Sequence, residues 1–334
     1  MTIVVLGAGS IGVYVGASLL AAGAGVLLLG RASMGERLAH AGVLLTDLHG
    51  RRQQVPGAQI RFATEPEALA AASLVLVTVK SADTAAAAAD IARHAQPSCV
   101  VLSLQNGIGN ADLLAAALPG RTVLGGMVPF NVVQMPGNRF HRGTEGELMT
   151  AQSEALAPWL APFEAAGLPL QQRADFLEVQ WGKLLLNLNN AVNALSNLPL
   201  KTELSQRAYR RCLALLIDEA LQVLAAAGIA PAKLARVSPK MLPAVLRLPD
   251  WLFVRLAATM LRIDPEARSS MWEDLQAGRR TEIDYLSGAV VALAGTLGMA
   301  APANARMIAL VRRAEQGGGA APGGQALLAA LTAA

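Results

Sequence analysis

Ile3-Val4-Val5-Leu6-Gly7-Ala8-Gly9-Ser10-Ile11-Gly12 runs from a short apolar, β-branched segment straight into a GxGxxG. An apolar, helix-compatible stretch follows from Val13 to Ala22, then a second apolar run from Val26 to Leu29. No charged side chain occurs before Arg31. This order of strand, glycine turn, helix and strand is the phosphate-binding start of a Rossmann βαβ unit. Gly7 suits the tight turn, Gly9 lets backbone approach a pyrophosphate, and Gly12 lets helix and strand pack closely. The amides of Ala8, Gly9, Ser10, Ile11 and Gly12 face the phosphates at the positive end of the helix dipole. An Ala/Gly-rich helical hairpin is the competing reading. A signal peptide or membrane span is not expected, because a basic leader is missing and six glycines between positions 7 and 25 interrupt the apolar run.

The end of the second strand bears on the nucleotide. NAD enzymes usually place an acid there to bond the ribose hydroxyls. This chain reads Leu28-Leu29-Gly30-Arg31-Ala32-Ser33, and its nearest acid is Glu36. A carboxylate would repel a 2′-phosphate, whereas Arg31 pairs with one through its planar fork and Ser33 adds a hydroxyl. The expected cofactor is NADPH/NADP+. The competing reading makes Arg31 a solvated loop residue.

A chain of 334 residues has room for two domains with full cores. With 53% hydrophobic and 16% charged residues it reads as globular rather than disordered. The net charge of +4 comes with no basic block or aromatic-interleaved basic stripe, so no nucleic-acid partner is expected, and no membrane partner. Cys99 and Cys212 lie far apart without metal-ligand spacing, which fits a reducing cytoplasm and no metal site. A homodimer stays open as the assembly.

Strands and helices alternate through the first half. Leu74–Val79 leads to Lys80, Ala85–Ala95 reads as a helix, and Cys99–Leu104 leads to Gln105-Asn106-Gly107. Thr122–Val128 is a further strand, residues 136–147 read as a loop or hairpin, and Ala155–Ala166 reads as a helix. Alternation of this kind implies a parallel sheet with ligands at the carboxyl ends of its strands, where Lys80 and Asn106 fall. From about residue 175 the 3.6-residue period takes over. Pro239, Pro243, Pro249 and Pro265 punctuate this half, and Gly317-Gly318-Gly319 and Gly323-Gly324 mark a flexible tail. The fold class expected is α/β: an N-terminal Rossmann-type doubly wound parallel sheet over 1–172, an all-helical domain over 173–316, and a Gly/Ala-rich tail over 317–334.

Reduction of a carbonyl by hydride needs a proton donor. All four histidines, His40, His49, His94 and His141, lie in the first half. None of Tyr14, Tyr209 and Tyr285 has a lysine four residues on. Lysine remains, and it is scarce: of 28 basic residues only Lys80, Lys183, Lys201, Lys233 and Lys240 are not arginine. A lysine, unlike an arginine, can give up its proton. On a continuous helix Asn187 falls about 40° and Asn190 about 20° from Lys183, which makes one polar stripe on an apolar segment. Such a stripe faces a partner or a cavity. The alternatives are a snorkelling lysine and inter-helix asparagine bonds. Asn193 falls off the stripe, as a cap or a satisfied core amide. A second polar cluster runs from Ser269-Ser270-Met271 to Thr281-Glu282-Ile283-Asp284, with Glu282 opening an apolar helix.

Taken together, Gly7-x-Gly9-x-x-Gly12, Val77-Thr78-Val79-Lys80, Gln105-Asn106-Gly107-x-Gly109, Trp181-x-Lys183-x-x-x-Asn187 and Ser269-Ser270-Met271-x-x-Asp274 through Asp284 resemble the ketopantoate reductase (2-dehydropantoate 2-reductase) family from Met1 to about Glu315. The resemblance implies NADPH-dependent reduction of a small 2-oxo acid, 2-dehydropantoate, to pantoate in coenzyme A biosynthesis. It implies Lys183 as general acid, with Glu282 assisting and also counted among the cofactor contacts. It places Lys80 and Asn106 beside nicotinamide and substrate, Ser270 on the substrate carboxylate and Asn187 on its hydroxyl. Two departures bear on substrate. Where the family often has a second substrate asparagine this chain has Ala191, with Asn190 one residue earlier; Asn190 is taken as a substrate contact. Where many members read Asn-Gly-Glu-Leu, this chain reads Lys201-Thr202-Glu203-Leu204. The alternatives are a reductase of another branched 2-oxo acid and an enzyme like the β-hydroxyacid dehydrogenases.

Overall fold

The computed structural model describes residues 1–234, 237–256, 267–318 and 321–333. Pro265 and Gly319 lie outside the described residues. The chain divides into two compact units, Met1–Phe176 and Leu177–Ala334.

The first unit is built on twelve strands: β1 (Thr2–Leu6), β2 (Gly25–Leu29), β3 (Val43–Asp47), β4 (Arg52–Val55), β5 (Arg61–Ala63), β6 (Leu74–Val77), β7 (Val100–Ser103), β8 (Val123–Met127), β9 (Val132–Met135), β10 (Arg139–Arg142), β11 (Leu148–Ala151) and β12 (Leu170–Arg173). Its helices are α1 (Ser10–Ala21), α2 (Ala32–Ala41), α3 (Thr84–His94), α4 (Asn110–Ala117) and α5 (Ala157–Ala165). Eight strands form the main sheet in the order β12-β11-β8-β7-β6-β1-β2-β5. β1 pairs in parallel with β2 and with β6, and Leu6 lies opposite both Leu29 and Val77. The sheet is mostly rather than wholly parallel, because β11 runs antiparallel to β8. Strand alternation divides the apolar residues between two cores. Ile3, Val5, Val26 and Leu28 pack with α1 residues such as Val13 and Tyr14, and with Leu45 and Phe140. Val4, Leu6, Leu27 and Leu29 pack with Ala87, Ala88 and Ile91 of α3 and Leu114 of α4. A strand covered on both faces reads as an unbroken apolar run, which is how β1, β2 and β6 stand in the sequence.

The Gly/Arg/Glu-rich stretch over 136–147 holds the turn and the second strand of the β9–β10 hairpin, which joins β3 and β4 in a second sheet of order β4-β3-β10-β9. Asn138, at φ 55°, turns the hairpin, and its amide donates to Gly42 O at 2.9 Å and Arg37 O at 3.0 Å.

In the second unit the helices are α6 (Phe176–Asn187, which begins one residue before the unit), α7 (Asn189–Ser196), α8 (Leu200–Ser205), α9 (Arg207–Ala226), α10 (Leu242–Leu246), α11 (Asp250–Leu256), α12 (Ser270–Gln276), α13 (Ser287–Thr296), α14 (Pro302–Glu315) and α15 (Gly324–Thr332). Among the described residues no strand follows β12. The 20-residue α9 is the axis of the unit; Leu213, Leu216, Ile217, Ala220, Val223 and Leu224 are buried on it at helical spacing. Arg210 of α9 is fully buried too. Its Nε donates to Leu246 O at 3.1 Å, and its terminal nitrogens donate to Leu204 O at 2.9 Å and Leu248 O at 2.7 Å. It also pairs with Asp250 at 2.9 Å and lies 4.1 Å over the Phe253 ring.

The segment expected to be a flexible tail ends instead in α15. Leu327 and Leu331 bury their side chains, and Tyr209 Oη donates to Pro322 O at 3.0 Å. Only glycine fits at Gly324, where a Cβ would stand 2.8 Å from Ala208 Cβ, so the missing side chain lets α15 lie close on α9.

Candidate active site

In the first unit the site grows from the turn between β1 and α1. Gly7 has φ +113°, outside the range of ordinary L residues, and its N–H donates to Leu29 O at 3.0 Å. Thr78, just past β6, donates from Oγ1 to Gly7 O at 2.7 Å and braces the turn. A Cβ at Gly12 would collide with Gly7 O and stand 2.6 Å from Thr78 Oγ1. A Cβ at Gly9 would meet nothing within 4 Å. No side chain caps α1 at Gly9, and no acid occupies its first turn. An uncapped helix start with clear space over Gly9 fits a dinucleotide pyrophosphate. Two substitutions separate packing from binding. Gly12→Ala is expected to lower stability by about 1–3 kcal/mol, the usual range for overpacking. Gly9→Ala should leave the melting temperature unchanged while weakening dinucleotide binding. Thermal denaturation and cofactor titration on both variants check this, and an equal loss of stability in the two would refute it.

Arg31 follows β2 and is the N-cap residue of α2, exposed, with no acid in the helix's first turn. Ser33 is also exposed. Lys80 follows β6 and Asn106 follows β7, and both are exposed. These two strands are parallel neighbours, with Val77 opposite Ser103, so both residues stand at carboxyl ends on one side of the sheet. A buried polar network fixes them. Asn110 donates to Asn106 O at 2.7 Å and Ser81 Oγ at 3.1 Å; Ser81 Oγ donates to Asn106 O at 3.2 Å. Thr84 Oγ1 donates to Asn110 Oδ1 at 2.9 Å, while Gln105 donates to Thr84 Oγ1 at 2.8 Å and Val79 O at 3.2 Å. Buried Thr84 and Asn110 carry no site chemistry, and nothing in the local sequence singled them out.

In the second unit Lys183 lies on α6, partly buried between the buried Gly182 and Leu184. Desolvation pulls its ammonium from 10.5 down to about 8. Asn187 and Asn190 are also partly buried. They do not share one unbroken helix: α6 ends at Asn187 and α7 begins at Asn189, with Leu188 between. Leu188 keeps helical angles and donates to Leu184 O at 3.0 Å, so the stripe crosses the joint without a reversal. Asn193 is fully buried and satisfied, donating to Leu198 O at 3.0 Å and Glu203 Oε2 at 3.2 Å and accepting from Ser269 N at 2.9 Å.

Ser270 is the first residue of α12 and exposed. Its neighbour Ser269 caps the helix, accepting from Trp272 N at 3.2 Å and donating to Asn190 O at 3.2 Å. That hydroxyl places Ser270 next to the Asn190 segment. Glu282 is half-buried. It does not open α13 directly; a short 3-10 turn, Ile283–Tyr285, comes first. The approach to Glu282 is held at both ends. Arg279 pairs with buried Asp274 at 3.0 Å, and Thr281 N and Oγ1 both donate to Glu315 at 2.7 Å. Among the described residues no group of three His, Cys, Asp or Glu could hold a metal ion, and no helix is long and apolar enough to cross a membrane.

The family model described as ketopantoate reductase PanE/ApbA matches residues 3–154, and that of its C-terminal part matches residues 175–315. A 2-dehydropantoate 2-reductase of Halobacterium salinarum is 31% identical over 325 residues, covering 95% of this chain and all of that one. The crystal structure of a PanE/ApbA family ketopantoate reductase from Ralstonia eutropha is 30% identical, with a TM-score of 0.80 over 95% of this chain and 99% of that one. A D-mandelate dehydrogenase in ternary complex with NADH and anilino(oxo)acetate has a TM-score of 0.77 over 95% of this chain and 99% of that one; at 19% identity the likeness is one of fold. The glycine turn, the Lys80/Asn106 strand ends and the Lys183 stripe thus sit in a chain matched in both halves, and the protein is an NAD(P)-dependent oxidoreductase belonging to the ketopantoate reductase family.

Proposed function

We propose that the protein reduces 2-dehydropantoate to pantoate with NADPH, a step of pantothenate and coenzyme A biosynthesis in the cytoplasm. The observation that carries this reading is Lys183, a partly buried lysine desolvated to about 8, in line with two partly buried asparagines. NADPH, when bound, supplies the hydride to C2 of the oxo acid. The turn from Gly7 through Ala8, Gly9, Ser10 and Ile11 to Gly12 would hold its pyrophosphate, and Arg31 its 2′-phosphate. Lys80 and Asn106 would line the nicotinamide and the substrate. In the second unit Ser270 would bond the substrate carboxylate, and Asn187 and Asn190 its hydroxyl. The ammonium of Lys183 would stabilise the alkoxide forming at the C2 oxygen and give it a proton, leaving a neutral amine; Glu282 would orient that ammonium.

The pH dependence has a definite sign. Reduction uses the protonated lysine, so kcat/KM should be level below about pH 8 and fall above it. Oxidation of pantoate needs the neutral amine and should rise up to the same pH. Profiles in both directions check this; a reduction rate that climbs through pH 8 would exclude Lys183 as the acid.

The displaced asparagine, Asn190 before Ala191, favours a second reading with the same chemistry and another branched 2-oxo acid. NADPH oxidation with 2-dehydropantoate beside a panel of 2-oxo acids decides between them. A kcat/KM for 2-dehydropantoate well below that of another acid would move the assignment.

A further inference from the structure

Glu203 is fully buried on α8, and the chemistry above does not use it. Its Oε2 accepts from Asn189 at 3.1 Å and from Asn193 at 3.2 Å. Asn193 in turn accepts the Ser269 N–H at 2.9 Å, and Ser269 Oγ reaches Asn190 O at 3.2 Å and caps α12. One carboxyl thus stands at the root of a chain of hydrogen bonds running α8–α7–α12 and ending at Asn190 O and at the Trp272 N–H in the first turn of α12, which Ser270 opens. We infer that Glu203 is a positioning residue for the 2-oxo acid: through Asn193 and Ser269 it sets where the start of α12, with Ser270, stands against Asn190. The inference rests on the substrate roles proposed for Ser270 and Asn190.

Glu203 performs this role as the neutral acid. At this site two buried acceptors have no donor, Glu203 Oε1 and Asn189 Oδ1, and the second belongs to the amide that already contacts this carboxyl. A proton on Oε1 gives the carboxyl a donor beside its accepting Oε2, and one fewer buried acceptor is left without one. Burial agrees, pushing the Glu203 carboxyl up to about 8 against the two asparagine bonds that lower it. Tyr209 and Cys212 of α9 are the titratable groups coupled to it from that helix; burial and the Glu203 carboxylate raise both, so both are neutral where Glu203 titrates and bring it no charge. Glutamine has the same shape, no charge, one acceptor and a donor, so it should replace Glu203; alanine should not.

The test uses the full-length protein with Glu203→Gln, Glu203→Ala and Ser269→Ala. It reads steady-state kinetics with NADPH and 2-dehydropantoate, together with deuterium uptake by the peptide spanning residues 267–276. Glu203→Ala and Ser269→Ala should each raise KM for the oxo acid about tenfold, with kcat and NADPH affinity within about twofold, as loss of ground-state positioning does. Uptake over 267–276 should quicken in both. Glu203→Gln should match wild type in both readouts. KM and uptake unchanged in Glu203→Ala overturn the inference, as does Glu203→Gln behaving like Glu203→Ala. Should Glu203→Ala not fold, Ser269→Ala, which leaves Glu203 and both asparagines intact, decides by the same criteria. A wild-type protein that reduces no 2-oxo acid while Glu203→Ala still loosens 267–276 refutes the proposed activity and supports the structural link.

Discussion

Lys183→Ala should cut kcat for 2-oxo acid reduction by about 10²–10⁴-fold, the usual worth of a positioned general acid, while NADPH affinity stays nearly unchanged. Histidines are confined to the first 141 residues, and no tyrosine is paired with a lysine four positions on. Lys183 itself is desolvated to about 8, where it holds a proton at neutral pH and can still release it. Arginine would keep its proton, so Lys183→Arg should not restore the rate. Glu282→Ala should also slow turnover, and the double variant should lose less than the product of the two single losses, because groups that act as a unit are not additive. Single-turnover NADPH oxidation measures all four. A Lys183→Ala enzyme within about threefold of wild-type kcat, under 1 kcal/mol on the barrier, would send the search for the acid elsewhere.

Arg31→Ala should weaken NADPH by about 1.5–3 kcal/mol, roughly 10- to 150-fold, and leave NADH almost untouched. Arg31 is exposed at the N-cap of α2, just past the strand end where a ribose-binding acid would stand, and α2 has no acid in its first turn. A hydrogen bond to a charged phosphate is lost in one case only, since NADH carries no 2′-phosphate. Wild-type titrations that return equal affinities for NADPH and NADH would remove the premise. A matched loss for both nucleotides in the variant would mean that Arg31 serves the adenosine generally.

The sequence spoke most clearly where one physical demand dominated. β1, β2, β6 and β7 are buried on both faces and so appear as plain apolar runs, and the glycine turn is legible because space and φ permit little else. β3 and β4 escaped notice because Val43–Asp47 and Arg52–Val55 mix polar and apolar residues in a small second sheet whose partner, β10, lies some ninety residues on. The polar stripe from Lys183 to Asn190 was readable as a period, but the joint at Leu188 was not, since leucine is no helix breaker. The Glu203 network was least accessible. Its partners Asn189 and Asn193 lie on the preceding helix and Ser269 lies 66 positions beyond, and no local rule joins them.

Arg210 has a bearing on how the second unit comes apart. A helix's last carbonyls normally find separate partners and can fray one end at a time. Here a single guanidinium serves Leu204 near the end of α8 and Leu246 and Leu248 at the end of α10. Withdrawing it strands three acceptors at once, so neither end gains by loosening first. The two helix ends are thereby bound into one opening event, and residues 200–205 and 242–248 should share a single free energy of exposure although 36 residues of chain separate them.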